Sequence, residues 1–181
     1  MKWPDPVSLD SPLEEAVREE LARDLVEQGR ISIPMLLGLL LVLGRILGMS
    51  LVENRLALGC YLGLLVVVLL RWAHALMARE GRWPWETARR RMWSFSAGAF
   101  LMGAGLALLS LLVYPKLLPS QIALLGLVHL AMLSVGILSM AASPTAFVCY
   151  SSPILLVLAF LLFRDGRSWG AWDLLALVGF Y

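Results

Sequence analysis

Residues 56–76, LALGCYLGLLVVVLLRWAHAL, carry a single formal charge, Arg71, in an otherwise apolar run of 21 residues. A helix of about 20 apolar residues rises about 30 Å, the thickness of a bilayer's hydrocarbon core. The run therefore reads as a membrane span. Similar runs recur at about Ile31 to Met49, Trp93 to Tyr114, Ser120 to Met140, Pro144 to Phe163 and from Gly170 onward. With 60% hydrophobic and 15% charged residues, the chain is predicted to be an all-α polytopic transmembrane bundle of six segments. The sixth is truncated: Gly170 to Tyr181 makes only about 18 Å of helix. The expectation is that the natural chain continues beyond Tyr181 into a cytoplasmic output domain.

Ahead of the spans, Ser11-Pro12-Leu13-Glu14 combines a serine N-cap, proline at the first helical position and glutamate three residues after the cap. This predicts a helix from Ser11 to Gln28 stopped by Gly29. Leu13, Val17, Leu21 and Leu25 form its apolar stripe, so it reads as an amphipathic cytoplasmic leader lying on the bilayer or on a partner. Two domains follow, a leader over 1–30 and a transmembrane domain over 31–181. The leader lacks the basic start and apolar core of a cleavable signal peptide.

Arg79, Arg82, Arg89, Arg90 and Arg91 crowd the connection between segments two and three, and the positive-inside rule places that loop in the cytoplasm. Alternation then turns the loops near Glu53, Lys116 and Asp165 outward and brings segment six back to the cytoplasm. Trp72, Trp83, Trp85 and Trp93 mark the inner boundary, and Tyr114, Trp169 and Trp172 the outer one. Arg89, Arg90, Arg91 and Trp93 read as membrane anchors. Arg71 and His74 read as inner-boundary residues, and Arg45 as snorkelling to the headgroups or pairing with Glu53. Arg164 and Arg167 fall in an outward loop beside Asp165 and Asp173.

GxxxG spacing at Gly44 to Gly48 and Gly59 to Gly63 predicts close helix packing beside the first outer turn. Gly98, Gly103 and Gly105 are expected to thin one side of segment three. No internal repeat is evident. Cys60 and Cys149 lie in apolar runs without metal or redox spacing and read as buried thiols. The net charge of +2 gives no argument for nucleic acid.

Phosphate-binding loops, HExxH and GxSxG are missing, and the membrane segments hold no carboxylate pair, so no catalytic residue is assigned and no cofactor or metal is called for. The candidate ligand site is intramembrane. Pro153 cannot donate to the Cys149 carbonyl, which favours a kink. Tyr150, Ser151 and Ser152 lie beside it, and antiparallel pairing of segments four and five brings His129 and Ser134 to the same levels. These six residues predict a small polar pocket that binds a ligand or senses protons. The alternative is that His129 bonds a serine or carbonyl while the serines bond back to their own helix. His74 and His129 differ in depth by roughly 15 Å and should not share one haem iron, although His129 alone can supply one axial bond.

Several stretches, Arg90-Arg91-Met92-Trp93-Ser94-Phe95, Gly98, Gly103-Ala104-Gly105, Pro115-Lys116-Leu117-Leu118-Pro119, Ala141-Ala142-Ser143-Pro144-Thr145-Ala146-Phe147 and Tyr150 to Pro153, form a pattern over about residues 89 to 165. This part resembles the six-helix membrane input region ahead of many bacterial diguanylate cyclases, cyclic-di-GMP phosphodiesterases and sensor histidine kinases. Ala104 stands where that region often has tryptophan. The resemblance implies an inner-membrane sensor and anchoring module, dimeric, feeding a cytoplasmic output domain in the same chain. Two other classes remain open from sequence: a small membrane subunit of an electron-transfer or pigment complex, and half of a transporter.

Overall fold

A computed structural model describes residues 12–79, 88–140 and 143–164. Every regular element among them is helical: α1 (Pro12–Val52), α2 (Arg55–Arg79), α3 (Ala88–Val113), a 3₁₀ turn at Tyr114–Lys116, α4 (Pro119–Met140) and α5 (Pro144–Arg164). Five of these helices contain stretches long and apolar enough to cross a membrane. The sixth expected segment, from Gly170, lies outside the described residues, as do Ser11, Arg82, Trp83, Trp85, Asp165, Arg167, Trp169 and Asp173. Of Arg79, Arg89 and Arg91, only the backbone is described.

Successive helices run antiparallel. The α1–α2 turn, the α3–α4 turn and the end of α5 meet at one end, where Lys116 Nζ lies 3.7 Å from Glu53 Oε2 and Arg164 sits 5.8 Å from the Tyr114 ring. Glu53 thus pairs with Lys116 rather than Arg45, across a half-exposed bridge that contributes about 0–1 kcal/mol. More specific ties come from amides: Asn54 Nδ2 donates to Leu112 O at 3.3 Å and Gln121 Nε2 to Ile46 O at 3.3 Å.

Gly29 does not stop the first helix. Helix α1 runs through it, and also through Pro34. A Cβ at Gly29 would lie 3.3 Å from Phe95 Cε2, and Ser32 Oγ donates to the Gly29 carbonyl at 3.2 Å. Glycine here admits an aromatic ring from α3, while unbroken helix keeps backbone groups paired beside the bilayer. Ala22, Leu25, Leu36, Leu40, Leu43, Leu47 and Leu51 are all buried, so a single stripe continues along α1. Val17, expected on that stripe, is exposed. The backbone leaves helical geometry only at Gly48 (φ 10°, ψ −90°).

Helix α3 is the central helix: 44% of its apolar window is buried, against 22–33% for the others. Its glycines thin two sides, not one. At about 100° per residue, positions 103 and 105 face nearly opposite directions. A Cβ at Gly103 would overlap the Tyr150 carbonyl oxygen of α5, and one at Gly105 would meet Leu64 Cδ2 of α2 at 2.6 Å. Cys60 Sγ reaches the Gly105 carbonyl at 3.4 Å.

The structure also reveals a repeat that sequence patterning conceals. In the α1–α2 turn, Asn54 N–H bonds Leu51 O, and the Asn54 side chain and carbonyl accept from Ala57 N–H and Leu58 N–H. In the α4–α5 turn, Ser143 N–H bonds Met140 O, and the Ser143 side chain and carbonyl accept from Ala146 N–H and Phe147 N–H. Ala57 and Ala146 are fully buried, and Cys60-Tyr61 and Cys149-Tyr150 follow at the same distance from each cap. Each tyrosine then covers a glycine of the preceding helix and donates to the carbonyl four residues before that glycine. Tyr61 covers Gly44 and bonds Leu40 O at 3.1 Å, while Tyr150 covers Gly136 and bonds Met132 O at 3.2 Å. The two hairpins have their turns at opposite ends of the bundle.

Gly59 and Gly63 face outward, and a Cβ added at either would have no atom within 4 Å. Gly103→Ala should destabilise purified protein in micelles by about 1–3 kcal/mol through overpacking, whereas Gly38→Ala, where an added Cβ likewise has no atom within 4 Å, should stay within about 0.5 kcal/mol. Equal thermal midpoints for the two variants would contradict the α3–α5 crossing.

Candidate functional site

His129 is buried and paired with α3 instead of the α5 serines. Its Nε2 lies 3.0 Å from Ser110 Oγ, and its Nδ1 lies 2.8 Å from the Leu125 carbonyl. Carbonyls only accept, so Nδ1 carries a proton. Ser110 has one proton and two claimants, because Leu106 O is 2.8 Å from the same oxygen. With a neutral ring, Nε2 and Leu106 O compete for it. With a charged ring, Nε2–H donates to Ser110 and Ser110 donates to Leu106, which satisfies the whole row. Ser110 carries no helical spacing signal in a leucine-rich run and was not legible as a site residue.

The six residues expected to form one pocket do not converge. Ser134 is exposed and bonds Leu130 O at 2.9 Å. Ser151 and Ser152 bond Phe147 O and Val148 O of their own helix at 2.8 and 2.7 Å. These are back-bonds to the preceding turn. Helix α5 continues through Pro153. Among the α5 residues Tyr150 alone reaches across, and it is fully buried between Gly103 of α3 and Gly136 of α4. Of the six expected residues, those with polar contacts between helices are His129, to Ser110 of α3, and Tyr150, to Met132 of α4.

Arg71 belongs to the same interior system. Its side chain does not extend toward the headgroups beyond Met77 but turns onto α3, where the guanidinium carbon is 4.6 Å from the Phe95 ring centroid and Nη1 is 4.0 Å from Met102 Sδ. Gly98 makes room, since a Cβ there would stand 3.3 Å from Arg71 Cδ. Arginine deep in a membrane helix costs about 2.5–3.5 kcal/mol on insertion scales. A desolvated cation–π contact returns about 2 kcal/mol.

Among the described residues no group of three His, Cys, Asp or Glu side chains could hold a metal ion. A haem or pigment metal at His129 Nε2 would have to displace Ser110. Arg90 and Trp93, expected as membrane anchors, are both exposed near the start of α3. No protein-family model, curated protein or solved structure matches the chain.

Ser110→Ala should cost about 1–3 kcal/mol by leaving a buried ring nitrogen unpaired, and Ser134→Ala, which removes only a back-bond on an exposed face, should be nearly neutral. Unfolding of both variants in micelles checks the difference, and equal stabilities would place His129 elsewhere.

Proposed function

We propose that this chain is a membrane-embedded sensor and anchoring module that relays a signal to a cytoplasmic signalling enzyme in the same natural chain. The observation supporting it is the position of Tyr150, whose backbone lies against Gly103 of α3 while its ring and hydroxyl reach Gly136 and Met132 of α4 at one buried crossing. Such a junction gives the two discrete packings that a relay requires. The Tyr150 hydroxyl either reaches Met132 O or releases it, and release lets α4 and α5 move relative to each other. His129 and Ser110 form the input of this reading, since a change in the ring's proton reorganises their contacts along α3 and α4.

The resemblance to input regions supplies the output class: cyclic-di-GMP synthesis or breakdown, or histidine phosphorylation. Arg90 and Trp93, exposed at the start of α3, fit a cytoplasmic boundary in a bacterial inner membrane. The leader and the exit of the sixth segment then share the cytoplasmic side. Outward-facing Gly59 and Gly63 suit close approach of a second copy, hence a homodimer.

A second reading, half of a transporter, gains from the twin hairpins, because inverted repeats are a recurrent transporter architecture. Labelling of Ser110→Cys by an impermeant thiol reagent from both sides of the membrane would favour transport. Protection from both sides favours the sensor.

Interhelical hydrogen bonds in membranes average about 0.6 kcal/mol, so Tyr150→Phe should shift the output of the full natural chain roughly threefold at equal membrane abundance. Cyclic-di-GMP level or autophosphorylation measures it, and unchanged output with an intact fold would overturn the assignment of Tyr150.

A further inference from the structure

Arg71 sits six residues from the Met77 end of its apolar span, about 9 Å along the helix. A guanidinium has five N–H donors. The contacts that hold it are an aromatic face and a thioether sulfur, both uncharged, and no carboxylate among the described residues balances its charge. Unlike His129 and Tyr150, Arg71 keeps part of its surface exposed. His74 follows one turn later on the same face, toward the end where Arg90 is exposed. The stem is fixed against Gly98, and the planar group is stacked on Phe95, which orients its donor edges before any partner arrives. Oriented donors and a net positive charge are what oxyanion recognition uses.

We propose that Arg71 anchors an oxyanion site at the α2–α3 contact, taking a phosphate group from an anionic lipid headgroup or from a free phosphate-like anion. The anion accepts from the edge of the guanidinium that Phe95 and Met102 leave unused.

The test uses the full natural chain in phosphatidylcholine nanodiscs, with phosphatidylglycerol doped into the lipid in one arm and inorganic phosphate added to the buffer in the other. Thermal midpoint and lipid retained in native mass spectrometry are read for wild type, Arg71→Gln and Arg71→Lys. Stabilisation and retention with phosphatidylglycerol assign the site to a lipid headgroup, and stabilisation by phosphate in the phosphatidylcholine discs assigns it to a free anion. Apparent affinity should fall roughly tenfold or more in Arg71→Gln. If that variant does not accumulate, Arg71→Lys decides, because a point charge without a planar fork should bind severalfold more weakly than wild type. No response in either arm, an undiminished response in Arg71→Gln, or wild-type affinity in Arg71→Lys would overturn the site.

Discussion

A tyrosine hydroxyl donating to a helix carbonyl, with its ring laid over a glycine, is the contact on which the bundle's geometry depends. In a bilayer, apolar side chains gain little by leaving lipid for protein, so helices associate through close packing and hydrogen bonds. Gly44 and Gly136 supply the close approach, and Tyr61 and Tyr150 supply the bond. A side chain on either glycine would collide with the ring. Each acceptor carbonyl belongs to the residue four before the glycine, so the second lone pair of a helix carbonyl serves as the tie between helices. This leaves both helix ladders intact, which the membrane interior demands.

The same device placed twice, in hairpins of opposite direction, explains why α3 becomes central. One hairpin meets α3 through α2, at Leu64 and Cys60 against Gly105, and the other through α5, at Tyr150 against Gly103. Two glycines two residues apart serve two neighbours on nearly opposite faces. The polar interior follows from this arrangement. Ser110 on α3 meets His129 on α4, and Arg71 on α2 meets Phe95 and Met102 on α3. His129 and Arg71 are answered from α3, Tyr61 and Tyr150 bond carbonyls of α1 and α4, and the Tyr150 backbone rests on Gly103 of α3.

Much of this architecture was legible in the sequence, because long apolar runs in a chain of this composition have few alternatives to spanning helices. Residues 56–76 fall within α2 with only a few residues added at each end. The antiparallel order also followed from alternation of successive spans. Four features escaped. Gly29 has the composition of a helix stop, but Phe95 packs onto it and the helix continues. The hairpin repeat rests on cap position, turn bonds and a Cys-Tyr pair, while the surrounding apolar residues interchange freely and erase similarity. Gly44 also lies about one turn farther from its turn than Gly136 does, which breaks the register. The predicted pocket failed for a geometric reason: equal depth on neighbouring helices does not fix which way a side chain faces, and Ser134 faces outward while Ser151 and Ser152 bond backward. Arg71 looked like a boundary residue because a long stem can snorkel, and only the partner helix shows that it turns inward.

Isotope-edited infrared spectroscopy of the Met132 carbonyl tests the central claim most directly. A carbonyl that accepts both the helix amide and the Tyr150 hydroxyl should absorb at lower frequency than a carbonyl of the same helix that accepts the amide alone. Tyr150→Phe should raise the Met132 frequency to the single-bond value without loss of helix. An identical frequency in wild type and Tyr150→Phe would contradict the clamp.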